Sequence, residues 1–477
     1  MIRGERMALN LFHDMAERVP AYKKFLKGNR IDHRSITSIK AFAQLPLLDK
    51  QNYLRAYPLH ELCWDGELTS RQFIISSTSG STGEPFYFPR TAEQDAQYAL
   101  TAELYLRTNF QIHKKRTLYV NAFPLGVWIG GLFTYSAVTK IANRGQYSLS
   151  IINPGINVPS TLAAIRKFAP MFDQIIIGSY APFLKDILDE GKQQGIAWDE
   201  IDLGFIFSAE GFSEEFRDYV LSHTKEKRKH TATLNHYGTV DLGTMSYETP
   251  ISILLRRHVL ASDTLRTQLF GHPYKVPTLT QYLPEQFFFE EESGDRLVCS
   301  ARSGLPLVRY DLKDLGNVLS VSEMETRANC TLASLASSAK VTDTLWRLPF
   351  VQVFERSDFS VSYYAFQIYP DTIRRALQQP DFSLVCSGKF LMRVMYDQNH
   401  NQELHINIEE YPGVHQVSAL HRRKLLRAIH QQLLKESSEY QKTYAEKGDR
   451  ILPTLSFWEH GYPEFFASGK KQQWIKK

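Results

Sequence analysis

The sequence has few cysteines for its length and none in a recognisable grouping. Its 477 residues include only four, Cys63, Cys299, Cys330 and Cys386. They are far apart, form no C-x-x-C pair and have no neighbouring cluster of histidines. Structural zinc sites and disulfide frameworks need such groupings. We therefore expect neither, and the composition favours a protein of the reducing cytoplasm.

The chain also lacks long apolar runs and a strong excess of charge. The N-terminal segment MIRGERMALNLFHDMAERV is charged throughout and has no signal-peptide core. No apolar run is long enough to span a bilayer, so we expect no membrane segment. The net charge of +5 is too small and dispersed to predict nucleic-acid binding, although it suits an anionic small molecule such as a nucleotide. The length suits two or three domains.

The most informative segment is SSTSGSTGEP at residues 76–85. It follows the β-prone run Phe73-Ile74-Ile75 and combines two glycines with six hydroxyl residues. Glycines let a backbone approach a polyphosphate closely, and N–H and hydroxyl groups donate to its oxygens. The segment is not a Walker P-loop, because no Gly-Lys-Ser/Thr ends it. Phosphate binding and a plain surface turn are both compatible with this segment alone.

The distribution of apolar residues predicts an α/β protein. After an amphipathic helix over 5–27 and a helix over 91–108, β-prone runs alternate with helical patterns, as in strand 174–178, helix 182–191 and strand 204–208. Such alternation indicates a mostly parallel sheet covered by helices, with ligand sites after the carboxyl ends of strands.

The predicted secondary structure changes in the second half of the chain. From about residue 268 the pattern becomes β-rich, and after residue 354 a compact α+β region begins. We therefore predict a large N-terminal domain over 1–354, with a β-rich subdomain, and a small C-terminal domain over 355–477 on a hinge.

Five further segments carry polar residues in the order expected for one composite site: Phe207-Ser208-Ala209-Glu210-Gly211, His236-Tyr237-Gly238-Thr239-Val240-Asp241, Arg309-Tyr310-Asp311-Leu312-Lys313-Asp314, Glu355-Arg356-Ser357-Asp358 and Ser468-Gly469-Lys470. The first two follow predicted strands, and the third is expected to place Asp314 in a turn after a strand. Together with residues 76–85 these segments resemble the motifs of the adenylate-forming superfamily of acyl-CoA synthetases, adenylation domains and luciferase. The N-terminal segments VPAYKKFL and LPLLDKQNYLRAYPL resemble its phenylacetate–CoA ligase branch.

The resemblance implies a reaction. ATP activates a carboxylic acid as an acyl-adenylate with release of pyrophosphate, and a thiol, most often that of CoA, then displaces AMP. The cofactors implied are ATP and Mg²⁺, with CoA as co-substrate. A carrier-protein thiol, a protein cysteine or an amine are alternative acceptors.

The resemblance also implies roles for single residues. The phosphate loop would comprise Thr78, Ser79, Gly80, Ser81, Thr82 and Gly83, and the adenine slot Ser208, Ala209, Glu210, His236, Tyr237, Gly238 and Thr239. Asp241 would bind magnesium, Asp314 the ribose hydroxyls, and Arg356 the ribose and phosphate. Asp358 would be the hinge, and Lys470 the catalytic lysine of adenylation, with Lys471 as the adjacent alternative.

Several positions depart from the family pattern. Glu84 stands where a lysine is usual, and Val240-Asp241 replaces threonine and glutamate. Ala365 stands where glycine is common, in a loop that borders the thiol tunnel of CoA ligases. These departures leave open a second class of function, a nucleotide-binding pseudoenzyme that acts by interaction.

The acid pocket is the least defined part of the pattern. By position it would be lined by Phe123, Tyr135, Gly178, Ser179 and Tyr180. An apolar and aromatic lining suits an aryl or other hydrophobic carboxylic acid. Each of these residues is equally compatible with ordinary core packing.

Overall fold

The chain forms two compact units. The computed structural model describes residues 2–69, 72–78, 85–225, 230–271, 276–356, 360–377, 379–382, 384–411, 413–414, 416–466 and 475. The first unit comprises Met1–Ser77, Tyr87–Ser179 and Ile187–Ser357, and the second comprises Thr78–Phe86, Tyr180–Asp186 and Asp358–Lys477.

Helices and strands alternate through residues 2–356. The helices are α1 Ile2–Arg18, α2 Pro20–Gly28, α3 Ile39–Phe42, α4 Ala92–Phe110, α5 Ile129–Asn143, α6 Val158–Phe168, α7 Ala181–Gln193, α8 Glu214–Leu221, α9 Pro250–Leu260, α10 Asp263–Phe270, α11 Val321–Arg327 and α12 Leu332–Ser338. The strands are β1 Phe73–Ser77, β2 Tyr87–Thr91, β3 Thr117–Asn121, β4 Leu149–Ile152, β5 Gln174–Ser179, β6 Leu203–Phe207, β7 Thr233–Thr239, β8 Gly243–Tyr247, β9 Thr278–Gln281, β10 Phe287–Glu292, β11 Arg296–Ala301, β12 Leu307–Leu319 and β13 Phe350–Arg356.

A mixed sheet organises the first unit. Its described strands run in the order β10-β11-β12-β13-β9-β8-β7-β6-β5-β3-β4. The pairs from β4 to β7 are parallel and those from β7 to β10 are antiparallel. Every residue of β5 and β6 is buried, as expected for parallel strands covered on both faces. The α/β class and the β-rich second half of this unit are confirmed.

The second unit contains a small α+β fold. Its elements after residue 360 are β14 Val361–Tyr363, β15 Phe366–Ile368, α13 Pro370–Leu377, β16 Cys386–Tyr396, β17 Gln402–Glu410, α14 Ala419–Glu436, α15 Ser438–Lys447 and β18 Thr454–Trp458. Strands β16 and β17 are antiparallel, and β18 runs parallel to β17. The predicted helices over 370–377 and 417–435 and strands over 389–396 and 404–409 are confirmed within a few residues.

Two local predictions are wrong. The single helix expected over 5–27 is two helices, because the chain takes an extended conformation at Val19, and Pro20 begins α2. The turn expected around Asp314 is absent, because β12 continues to Leu319. Positive φ angles at Arg309 (48°) and Lys313 (60°), with register shifts against both neighbours, let the strand bend without ending.

The β14–β15 hairpin explains why glycine is favoured at position 365. Tyr364 and Ala365 form its two-residue turn with φ angles of 45° and 67°. Two successive positive φ angles define a type I′ turn, in which a residue with a Cβ is strained.

Ala365→Gly should therefore raise the free energy of unfolding by about 0.5–1 kcal/mol, because relief of strain exceeds the extra backbone entropy of glycine. Urea denaturation of the full chain measures the effect. Ala428→Gly, in the interior of α14, is the control and should destabilise the protein by about 1 kcal/mol or more. A loss of stability in Ala365→Gly would contradict the assignment of strain to this turn.

Candidate functional site

Two tyrosines and two aspartates form a reciprocal pair of hydrogen bonds in the first unit. The Tyr237 hydroxyl donates to Asp314 Oδ2 at 2.7 Å, and the Tyr310 hydroxyl donates to Asp241 Oδ2 at 2.5 Å. Each tyrosine lies four residues before the aspartate of its own segment. Its hydroxyl, however, donates to the aspartate of the other segment. These two hydrogen bonds bring together Tyr237, Asp241 and Asp314, three residues that the resemblance assigned to one nucleotide site.

Asp241 is suited to hold a cation. Only 7% of the residue is exposed, and its Oδ1 accepts no hydrogen bond from the described residues. The Lys50 ammonium lies 3.7 Å from that oxygen. Mg²⁺ commonly takes one or two carboxylates, with phosphate oxygens and water as its other ligands. One free carboxylate oxygen therefore fits a magnesium ion, and Lys50 provides a competing positive charge.

The N-terminal segment carries Lys50 to this position. Leu48 pairs with Tyr310 in a parallel bridge, donating to Arg309 O at 3.0 Å and accepting from Asp311 N at 2.9 Å. Lys50 then begins a short π-helical turn that Asp49 caps. Sequence reasoning assigned no role to Lys50 or Tyr310, although LPLLDKQNYL and the repeated Tyr-x-x-x-Asp spacing were both visible in the sequence.

Contacts with other strands fix the orientation of the Tyr237 ring. Phe289 stacks on it with a centroid distance of 6.3 Å and an interplanar angle of 29°. Gly238 follows at a bulge, and a Cβ there would lie 2.4 Å from Gly243 O, so only glycine fits. An aromatic ring held in one orientation can stack on a planar base.

The loop after β6 is fixed by β7. Asn235 donates from Nδ2 to Glu210 O at 2.9 Å, whereas its Oδ1 is buried without a partner among the described residues. Ala209 adopts a φ of 76°, a strained conformation that persists only when its surroundings enforce it. The predicted slot residues Ser208, Ala209 and Glu210 thus lie beside β7. Asn235 is a polar group that the sequence analysis missed, one position before the quoted motif.

A buried ion network supports this loop. Glu248 accepts from Asn235 N at 2.8 Å and from Arg217 Nη2 at 2.7 Å, and Arg217 also binds Glu214 at 3.0 Å. Arg256 binds Glu214 at 2.7 Å and donates to Phe212 O at 2.6 Å. Burial acts to raise the pKa of Glu214, but the neighbouring guanidinium groups outweigh burial and lower it. The network therefore ties α8, α9 and β7 to the loop.

His236 lies apart from the other predicted slot residues. Alternation along β7 places it on the face opposite Tyr237, where it packs against Tyr98 and Tyr105. Thr239 is the last residue of β7, and its Oγ1 accepts from Leu242 N at 3.2 Å. This hydrogen bond closes the turn between β7 and β8 that contains Asp241.

The predicted phosphate loop is described only at its ends. Strands β1 and β2 form a hairpin, and Thr78 closes it by donating from N to Phe86 O at 3.0 Å and accepting at Oγ1 from Phe86 N at 2.9 Å. Ser79, Gly80, Ser81, Thr82 and Gly83, with Glu84, lie outside the described residues.

Arg356 lies beside the predicted ribose site at the level of the backbone. It is the direct antiparallel partner of Asp314 in the β12–β13 pairing. The predicted hinge residue Asp358 and the lysines Lys470 and Lys471 lie outside the described residues.

The chain on either side of Lys470 is anchored to one sheet of the second unit. Glu409, in β17, accepts from Gly461 N at 2.9 Å and pairs with Lys389 at 3.0 Å, and Trp458 Nε1 donates to Asn407 at 2.7 Å. Beyond the lysines, Ile475 forms a bridge with Met392 of β16. Both flanks are therefore part of the folded unit.

Among the predicted acid-pocket residues, Gly178 lies beside Phe123. Gly178 is required, since a Cβ there would lie 2.4 Å from the Tyr119 hydroxyl and 2.9 Å from Phe123. Ser179 is buried and donates to Ala122 O at 3.3 Å. Tyr135 is 45% exposed, and Tyr180 precedes α7.

Comparison with known proteins identifies the fold. A scan of protein-family models gives no match, and a search of curated proteins gives no match of significance. Among solved structures, 2-hydroxyisobutyryl-CoA ligase with 2-HIB-AMP and CoA in its thioesterification state superposes with a TM-score of 0.64 at 13% identity, over 99% of this chain and 89% of that one. Its open conformation gives 0.54 at 12% identity, over 99% and 90%. Its postadenylation state with 2-HIB-AMP gives 0.53 at 12%, over 99% and 87%. This chain therefore has the fold of an adenylate-forming ligase.

In the described part of the chain no helix is both long and apolar enough to cross a bilayer.

Arg217→Met should lower the free energy of unfolding by about 3–5 kcal/mol, because it leaves buried Glu248 without its cation. Arg116→Met, which breaks the exposed pair with Asp173, is the control and should lower the stability far less, because solvent screens a surface ion pair. Chemical denaturation compares the two. Equal effects would show that the buried network contributes no more than a surface ion pair.

Proposed function

We propose that this chain activates a carboxylic acid with ATP, forming an acyl-adenylate and pyrophosphate, and then transfers the acyl group to a thiol. The observation that carries the proposal is the reciprocal exchange of hydrogen bonds. It joins an aromatic wall and two buried carboxylates from segments about seventy residues apart, in a chain with the fold of an adenylate-forming ligase.

The nucleotide roles follow from the chemistry of these groups. Tyr237, supported by Phe289, stacks on the adenine, and the backbone of Ser208–Glu210, strained at Ala209, forms the opposite wall. Asn235 Oδ1, buried and without a partner among the described residues, accepts from the adenine amino group. Asp314 receives the ribose diol, because a carboxylate has two acceptor oxygens. Thr78–Gly83 hold the terminal phosphates, and Arg356 meets the ribose and α-phosphate.

Magnesium has one candidate ligand in this arrangement. Asp241 would hold it through Oδ1, and the ion would neutralise charge on the phosphates. Tyr310 keeps the carboxylate oriented, and Lys50 balances its charge.

The chemical step is assigned to the predicted C-terminal domain over residues 355–477, moving about Asp358. Lys470 meets the negative charge that develops as the carboxylate attacks the α-phosphorus. The acceptor is the thiol of CoA, as in the phenylacetate–CoA ligase branch. A carrier-protein thiol, a protein cysteine or an amine is the alternative.

One observation favours a second candidate function. Lys50 lies within ion-pair distance of the carboxylate assigned to magnesium. A lysine at that place supports nucleotide binding without a metal, as in a pseudoenzyme that acts by interaction.

Pyrophosphate release distinguishes the two functions. The chain is incubated with ATP, Mg²⁺ and a panel of aryl and alkyl acids, with and without CoA. Acid-dependent release is expected for a ligase, and a thioester should form when CoA is present. ATP binding without acid-dependent release would favour the pseudoenzyme.

Asp241→Asn should lower acid-dependent pyrophosphate release by about a hundredfold, because a charge that faces the metal is lost. The fold should persist, since an asparagine oxygen still accepts from Tyr310. Release is measured across a magnesium titration, with exposed Asp173→Asn as control. Normal turnover at saturating magnesium would exclude Asp241 and make Glu210 the candidate ligand.

Lys470→Ala should lower the rate of adenylate formation by roughly a hundred- to a thousandfold with little change in ATP affinity, because the lysine stabilises charge that appears only in the transition state. Transfer from a preformed acyl-adenylate should survive. Lys471→Ala is the matched control. If Lys471→Ala gives the larger loss, the two roles are reversed, and a loss of ATP affinity alone would make Lys470 a binding residue.

A further inference from the structure

Arg90, on β2, is almost completely buried but only partly paired. It is 2% exposed, donates from Nε to Asp95 Oδ1 at 3.1 Å and from Nη1 to Ser76 Oγ at 2.5 Å. Its Nη2 is buried and has no acceptor among the described residues. A buried charged group left short of a hydrogen bond is costly to the fold. Two of the three nitrogens are thus fixed, and the third is available to a ligand.

The charge of Arg90 is already balanced. Asp95 neutralises it and also accepts from Ser136 Oγ at 2.6 Å. A second anion at this place would be unpaired in a buried setting. The acceptor that suits Nη2 is therefore neutral, such as a hydroxyl or carbonyl oxygen.

An aromatic pair lies between Arg90 and a second incompletely paired group. The guanidinium lies 4.9 Å from the Phe133 centroid, and Phe133 stacks on Tyr98 at 4.0 Å. Beyond Tyr98, at 6.5 Å, lies His236, whose buried Nε2 has no partner among the described residues. Burial lowers the pKa of His236 to about 3, so the imidazole is neutral near pH 7 and acts as donor or acceptor.

Three members of this cluster, Ser76, His236 and Phe133, adjoin segments of the proposed site. Ser76 lies two residues before the described end of the phosphate loop, and His236 directly precedes Tyr237. Phe133 lies against Gly243, where a Cβ would be 2.7 Å from its ring. Helix α5, which carries Phe133, also carries Tyr135, which the sequence assigns to the acid pocket.

We propose that Arg90 and His236, on either side of the Tyr98–Phe133 pair, are the polar specificity determinants of the acid-binding site. They select an acid that carries a neutral hydroxyl or carbonyl group at the end remote from its carboxylate. The inference rests on the proposed function and narrows its substrate class from a plain hydrophobic acid to an oxygenated one.

The test compares matched acids that differ by one oxygen. ATP–pyrophosphate exchange is measured with octanoate against 8-hydroxyoctanoate and 7-oxooctanoate, and with 3-phenylpropanoate against 3-(4-hydroxyphenyl)propanoate. The wild-type kcat/KM should favour the oxygenated member by about tenfold or more, since a site with unpaired polar groups rejects the analogue that lacks the partner.

Two variants address the residues. Arg90→Gln/Asp95→Asn removes both charges together, which avoids a lone buried ion, and His236→Phe changes no charge. Both should reduce the ratio of oxygenated to plain kcat/KM by about tenfold. Arg144→Gln/Glu103→Gln is the control, because this ion pair also involves a carboxylate of α4, and it should leave the ratio unchanged.

The outcomes distinguish a failure of this inference from a failure of the proposed function. A wild-type preference for the plain acids, or variants that lower both members equally, would overturn the specificity role and leave acid activation intact. If no acid supports exchange although ATP binds, the proposed function fails, and the inference fails with it.

Discussion

The candidate site depends on one constraint, the two hydrogen bonds that join Tyr237 to Asp314 and Tyr310 to Asp241. Strands β7 and β12 are four places apart in the sheet, about 19 Å if the sheet were flat. Two side chains do not bridge that distance, so the antiparallel part of the sheet must curl to bring the segments together. A twisted sheet with bulges in β12 allows this curvature.

Two kinds of groups surround these four residues: groups held in place by many contacts, and buried polar atoms that have no hydrogen-bond partner in the described chain. The buried ions around Arg217 and the stacking of Phe289 hold backbone and rings in place. By contrast, one buried polar atom on each of four residues has no hydrogen-bond partner in the described chain: Asp241, Asn235, Arg90 and His236. Folded proteins pair almost all buried polar groups, so each of these four atoms is a candidate contact for a ligand.

Much of this arrangement was predictable from the sequence. Apolar runs located the parallel strands, and the resemblance to known motifs singled out Tyr237, Asp241 and Asp314. The features that the sequence did not predict correctly are those that depend on tertiary structure. No local pattern shows that β12 bends through Arg309 and Lys313 instead of ending, or that Leu48 pairs with Tyr310 and so places Lys50 beside Asp241. Arg90 and His236 were hardest to identify, because their buried nitrogens without a partner in the described chain are visible only in the tertiary structure.

The most direct measurement of the central claim follows an oxygen atom. Acids labelled with ¹⁸O in the carboxylate are incubated with the chain, ATP, Mg²⁺ and CoA, and the nucleotide product is analysed by mass spectrometry. Attack of the carboxylate on the α-phosphorus, followed by displacement at the acyl carbon, leaves one labelled oxygen in AMP. Labelled AMP formed together with thioester is the predicted result. Unlabelled AMP, or ADP with labelled phosphate, would contradict activation through an acyl-adenylate.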